Sequence, residues 1–73
     1  MSPEKLIHMA NQIATAFAAL PASQAAANTA EHINDFWDPR MRAALLAHVS
    51  AGGAGLSGVA LEAAKSVRPP KAA

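Results

Sequence analysis

The residues of this chain that could do chemistry are three histidines and an acidic neighbour of one of them. His8, His32 and His48 are too widely spaced for a local metal motif, and the sequence has no cysteine to complete one. His32 and Asp35 are three positions apart, so a helix would bring them together as a histidine–carboxylate pair, a common acid–base unit. Local spacing places no nucleophile beside them. We therefore interpret the pair as a surface pair or a contact to a partner.

A glycine-rich run is the second candidate for chemistry. Residues 53–58 read Gly-Ala-Gly-Leu-Ser-Gly and match the dinucleotide-binding pattern G-x-G-x-x-G. That pattern binds a pyrophosphate only when a strand precedes it, and here a helical pattern precedes it. The run also lacks the lysine of a phosphate-binding P-loop. It predicts a turn between two helices, followed by a helix start.

Charge and cysteine content exclude several classes of function. Six lysine and arginine residues against five acidic residues give a net charge of +1, which predicts no nucleic-acid partner and no membrane partner. The absence of cysteine excludes disulfides and thiolate metal sites and favours a cytoplasmic location. The uncharged run 43–61 is long enough to span a membrane, but its glycine-rich centre favours two short buried helices.

The spacing of apolar residues predicts an all-α fold, a small domain of three to four helices. Ser2 and Pro3 form a strong helix start, and large apolar residues then recur at intervals of three and four. No alternating strand pattern is present. We predict a single helical domain over residues 1–67, with helices at about 3–20, 24–37, 39–51 and 57–67, and a disordered tail at 68–73.

A junction between the second and third helices contains the only tryptophan. Pro39 disfavours helical geometry at Asp38, so the second helix should stop near Trp37. Pro39 also suits the first position of a new helix, and the carboxylate of Asp38 can cap that helix. The sequence therefore predicts a sharp corner at Asp38 and Pro39.

Aromatic and arginine side chains around this corner predict a partner interface. Tryptophan, arginine and methionine are enriched in protein–protein interfaces. The second helix begins with alanines, so only its large side chains, Ile33, Phe36 and Trp37, can hold it in the core. We weigh core and interface equally and assign Ile33 and Phe36 to the core and Trp37, with the two arginines, to a partner. The sequence alone leaves open which aromatic side chain turns outward. An alanine-rich chain also encloses little apolar area and gains stability from such a partner. The predicted interface comprises His32, Asn34, Phe36, Trp37, Asp38, Pro39, Arg40, Met41 and Arg42.

Three segments resemble a known family. They are residues 2–6 with 9–14, residues 32–42 with the rare run Phe-Trp-Asp-Pro-Arg-Met, and residues 45–48 with the glycine run 52–56. Together they are similar to the delta subunit of cytoplasmic NAD-dependent formate dehydrogenases. The resemblance extends over nearly the whole chain up to Leu61.

The resemblance implies a non-catalytic accessory subunit of a multi-subunit enzyme. In such an enzyme formate is oxidised at a molybdenum or tungsten pterin cofactor in the catalytic alpha subunit. Electrons then pass through iron–sulfur clusters and FMN to NAD, in a complex that also contains beta and gamma subunits. We expect no cofactor in this chain itself.

Three functions remain open at this point. The first is docking on the catalytic alpha subunit, which would stabilise the assembled holoenzyme. The second is a maturation factor that assists insertion of the pterin–metal cofactor, with Arg40, Arg42 and the start of the third helix offering an anion site. The third is a helical protein-interaction domain unrelated to formate chemistry.

Overall fold

The computed structural model describes residues 2–70 and contains four helices and no strand in that range. The helices are α1 (Pro3–Ala16), α2 (Ala22–Phe36), α3 (Pro39–Ser50) and α4 (Gly58–Ala64). The predicted all-α fold is therefore confirmed. None of these helices combines the length and the hydropathy needed to cross a bilayer.

Three of the four helices begin at the capping residues that the sequence predicts. Ser2, Asp38 and Ser57 precede α1, α3 and α4, and each side chain accepts a hydrogen bond from the backbone amide three residues later. The donor–acceptor distances are 3.3, 2.8 and 3.2 Å, respectively. These bonds satisfy amides that have no partner within the helix, so each cap fixes where its helix begins.

The connection between α1 and α2 is longer than predicted. The first helix ends at Ala16 instead of residue 20, and Phe17 to Leu20 form turns with hydrogen bonds to the residue three positions earlier. Pro21 explains part of this difference, because a proline disfavours helical geometry at the residue before it. Its carbonyl then accepts the first hydrogen bond of α2, from Ala25 at 2.9 Å.

The other end of the chain also differs from the prediction. Helix α4 ends at Ala64 instead of residue 67, although Val67 is buried. In the predicted tail, the backbone amide of Arg68 donates to Asn34 Oδ1 at 2.8 Å, while residues 71–73 lie outside the described residues. The hydrogen-bonded chain therefore extends beyond the last helix.

The core relies on alanines as much as on large side chains. Helices α2 and α4 make the most extensive contacts between any two helices. The buried residues of these two helices include Ala25, Ala26 and Ala30 on α2 and Ala60 and Ala63 on α4. The expectation that only large side chains could hold α2 is wrong, because short side chains let two helices approach closely and exclude water from their backbones.

A glycine turn joins α3 to α4, as predicted. The amides of Gly53 and Gly52 donate to the carbonyls of His48 and Val49, both at 3.0 Å, in the pattern of a Schellman motif. Gly52 and Gly53 have φ values of 121° and 67°, which favour glycine. A Cβ atom at Gly53 would also collide with the side chain of Leu61. The turn therefore brings α4 close enough to cover this glycine.

We expect Gly53→Ala to lower the free energy of unfolding by about 1–3 kcal/mol, because it adds both a strained φ and a collision. Gly58→Ala is the matched control, since a Cβ at Gly58 meets no atom within 4 Å. At this first helical position the substitution should stabilise the fold by about 0.4–1 kcal/mol. Urea unfolding followed by tryptophan fluorescence measures both changes. If the two variants have equal free energies of unfolding, Gly53 is not required in the turn for the reasons given.

Candidate docking surface

The corner between α2 and α3 separates the two neighbouring aromatic side chains. Trp37 is 5% exposed and belongs to the core, whereas Phe36 is 74% exposed. The expectation that Phe36 is internal and Trp37 faces a partner is therefore wrong, while Ile33 lies in the core as expected.

The reason lies in the last turn of α2. The amide of Trp37 donates to the carbonyl of Ile33 at 2.9 Å, which is the hydrogen bond of an α-helix. Trp37 therefore lies on the same side of α2 as the buried Ile33, one turn later. It thereby continues the buried row formed by Ala26, Ala30 and Ile33 at intervals of four and three. Phe36 falls beside this row and projects outward where α2 ends.

Phe36 is supported on the surface by His32. The two rings are one helical turn apart, with centroids separated by 4.7 Å and planes inclined at 36°. A hollow beside them is lined by half-buried Met9, Ile13 and Met41, which come from α1 and α3. We call Phe36, His32, Met9, Ile13 and Met41 the Phe36 patch. An exposed phenylalanine next to half-buried apolar side chains is typical of an interaction surface.

Asn34 and Arg42 of the predicted interface make hydrogen bonds to other elements of the chain. The side chain of Asn34 donates to the carbonyl of Ser66 at 3.1 Å and accepts from the amide of Arg68 at 2.8 Å. Arg42 Nη1 donates to the carbonyl of Asn34 at 3.3 Å. Arg42 therefore joins α3 to α2, and Asn34 joins α2 to the segment after α4. Within residues 2–70, these two side chains position helices.

The exposed part of the predicted interface is smaller. Asp38, Pro39 and Arg40 are exposed, and Met41 is half-buried. The carboxylate of Asp38 is bound to the amide of Met41, whereas Arg40 forms no ion pair within residues 2–70. Arg40 is thus the cation next to the Phe36 patch that is available to another molecule.

The three histidines have separate surroundings in the described structure. His8 is exposed, His32 lies against Phe36, and His48 Nε2 donates to the carbonyl of Ala54 at 2.7 Å. Within residues 2–70, no three histidine or acidic side chains are grouped so as to hold a metal ion. The pairing of His32 with Asp35 that their spacing allows is replaced by the contact with Phe36.

Asn11 is a positioning residue that the sequence did not reveal. Its Nδ2 donates to the carbonyl of Gly55 at 2.9 Å, and its Oδ1 accepts from the amide of Ser57 at 2.9 Å. These bonds join α1 to the glycine turn and to the start of α4. Since the partners are more than forty positions away, no local pattern marks Asn11.

Comparison with protein families gives a match that covers most of the chain. The model of the NADH-dependent formate dehydrogenase delta subunit family, FdsD, matches residues 5–64. The matched range includes the corner at Asp38, the glycine turn and all of α4. Comparisons with curated proteins and with solved structures give no significant match.

The two aromatic side chains should differ sharply in their effect on stability. We expect Trp37→Ala to cost about 3–5 kcal/mol, which is comparable to the whole stability of a domain this small. Phe36→Ala should change the free energy of unfolding by no more than about 0.5 kcal/mol, because the ring is already in solvent. Circular dichroism at 222 nm with urea measures both. A large loss for Phe36→Ala would mean that the ring packs within the chain.

Proposed function

Because the chain belongs to the NADH-dependent formate dehydrogenase delta subunit family, we propose that it docks on the catalytic alpha subunit and stabilises the assembled holoenzyme. The observation that carries this proposal is the exposure of Phe36 at the corner between α2 and α3. The same family membership removes the alternative of an interaction domain unrelated to formate chemistry.

The Phe36 patch has the chemistry of an interface centre. Burying a phenylalanine side chain contributes about 1.5–3 kcal/mol, and here the fold already holds the ring against His32. Little side-chain entropy is then lost on binding. Arg40 can pair with a carboxylate or a backbone carbonyl of the partner at the edge of the patch. Trp37 supports the patch from beneath, in the core, instead of entering a partner pocket.

Docking of this kind stabilises the partner by mass action. A subunit that binds the folded alpha subunit and not its unfolded form raises the free energy of unfolding of the complex. In this proposal, formate is oxidised in the alpha subunit, at a molybdenum or tungsten pterin. The iron–sulfur clusters and FMN belong to the rest of the complex. This chain has no cysteine thiolate to offer those groups.

The maturation alternative receives less support from the corner. It needs an anion site at the start of α3, where the carboxylate of Asp38 already occupies the amide of Met41 at 2.8 Å. It also needs Arg42, whose Nη1 is bound to the carbonyl of Asn34 and whose Nε is buried without a partner in the described residues. A cofactor phosphate would have to approach the carboxylate of Asp38 and compete with hydrogen bonds already made, which favours docking over maturation.

A co-purification experiment tests the docking. We expect Phe36→Ala with Arg40→Ala to weaken binding of the purified alpha subunit by about thirtyfold or more in Kd, equivalent to about 2 kcal/mol. Leu20→Ala is the matched control, because Leu20 is also a large exposed apolar residue but lies in the turn after α1. Stoichiometric recovery of the alpha subunit with the double variant would reject the Phe36 patch as the docking site.

A second experiment separates stabilisation from maturation. The dehydrogenase is expressed without this chain, and its metal content and its rate of thermal inactivation are measured. We expect full metal content and faster inactivation, with the rate restored by adding the purified chain. A metal content that falls in proportion to activity, with no rescue by later addition, would favour maturation.

A further inference from the structure

A groove runs between α1 and α3 and meets the Phe36 patch at one end. Its far end has a volume of about 360 Å³ and is lined by Pro3, Leu6, Ile7, Ala44, Leu45, Ala47 and His48. Its middle is lined by Leu6, Ala44, Met41, Asp38 and Arg40. Met41 also lines the hollow at the Phe36 patch, so the apolar surface is continuous along the two helices. We call this feature the α1–α3 groove.

The walls of the groove restrict what can fill it. Both walls of the groove are helices, so their backbone amides and carbonyls are already hydrogen-bonded within each helix. The far end has one polar side chain, His48, whose Nε2 is bound to the carbonyl of Ala54. An extended segment lying there would leave its own amides and carbonyls without partners. A helix brings a backbone that is already hydrogen-bonded. The groove therefore fits a helix that presents an apolar stripe.

The charges next to the groove define the occupant further. Asp38 and Arg40 line its middle with one charge of each sign, and the carboxylate of Asp38 lies at the start of α3, where it accepts from the amide of Met41. Arg40 is exposed and has no ion-pair partner within residues 2–70. A carboxylate on the occupant, near the middle of the apolar stripe, would complement this guanidinium.

A second copy of this chain is a poor occupant. The large apolar side chains that are exposed within residues 2–70 are Leu20 and Phe36. Leu20 lies in the turn after α1, and Phe36 is the last residue of α2. Neither belongs to an exposed apolar stripe of several turns, so a copy has no such helix face to insert.

We propose that the α1–α3 groove receives an amphipathic helix of the catalytic alpha subunit, with a carboxylate facing Arg40. This inference rests on the proposed function and names the partner element at that surface. Helix α3 has 12 residues, so the groove accommodates about 18 Å, or about three turns, of the incoming helix. That length presents apolar residues at positions i, i+3 or i+4, i+7 and i+11.

Two charge substitutions on α3 test the groove directly. Ala44 and Ala43 are neighbouring exposed residues, but Ala44 lines the groove and Ala43 does not. We expect Ala44→Glu to weaken binding to the purified dehydrogenase complex by at least about tenfold, because it buries a carboxylate against an apolar stripe. Ala43→Glu should stay within about twofold of the wild type. Circular dichroism of both variants should match the wild type, since glutamate suits an exposed helix position.

The outcomes distinguish this inference from the proposed function. If Phe36→Ala weakens binding but Ala44→Glu does not, the docking function stands and the groove is rejected. If the wild-type chain does not bind the complex at all, both the docking function and the groove proposal are rejected. Equal weakening by Ala44→Glu and Ala43→Glu would also reject the groove, because the effect would then be one of charge alone.

A crosslink identifies the occupant. The chain has no cysteine, so Ala47→Cys introduces a unique thiol at the far end of the groove for a benzophenone maleimide. In the assembled holoenzyme, we expect the crosslinked peptide to come from the catalytic alpha subunit, with the apolar spacing above and an acidic residue in its middle. A crosslink to a second copy of this chain, to another subunit, to a segment without that pattern, or to nothing would overturn the proposal.

Discussion

The corner between α2 and α3 is the constraint on which the rest of this structure depends. Pro39 disfavours helical geometry at Asp38, and both Trp37 and Asp38 are extended, so the chain turns within the two residues between α2 and α3. Trp37 is buried at the end of the row that begins with Ala26. Its burial sets the direction of α3, which leaves the groove against α1, and it leaves Phe36 in solvent.

Polar side chains compensate for the small area that an alanine core can bury. Helix α4 has seven residues, which is too short to persist alone, so its position depends on packing and on hydrogen bonds from outside. Asn11 binds the turn before α4, and Asn34 binds the segment after it. Each side-chain amide uses both its donor and its acceptor. The shortest helix is thus held at both ends by residues of α1 and α2.

The helix starts and the family could be predicted from the sequence because their signals are local. Ser2, Asp38 and Ser57 act within three residues of themselves. The orientation of the aromatic pair could not be predicted in the same way. Phe36 and Trp37 lie three and four residues after Ile33, about 60° and 40° from it around a helix, so periodicity hardly distinguishes them. The packing of α1 and α3 around the corner decides between the two.

The candidate surface shows the same limit. The segment 32–42 stays a predicted interface, since its concentration of aromatic, arginine and methionine side chains is visible in the sequence. The internal roles of Asn34 and Arg42 were not visible. They depend on carbonyls and amides that become neighbours only when α3 and the segment after α4 pack against α2.

The long-range bonds of the two asparagines have a consequence for synthesis of the chain. Asn11 binds residues 44 and 46 positions later, and Asn34 binds residues 32 and 34 positions later. While the nascent chain is on the ribosome, α1 and α2 can pack against each other, but both asparagine side chains lack their partners. The two asparagines reach their native hydrogen bonds only after α4 and the segment beyond it have been synthesised.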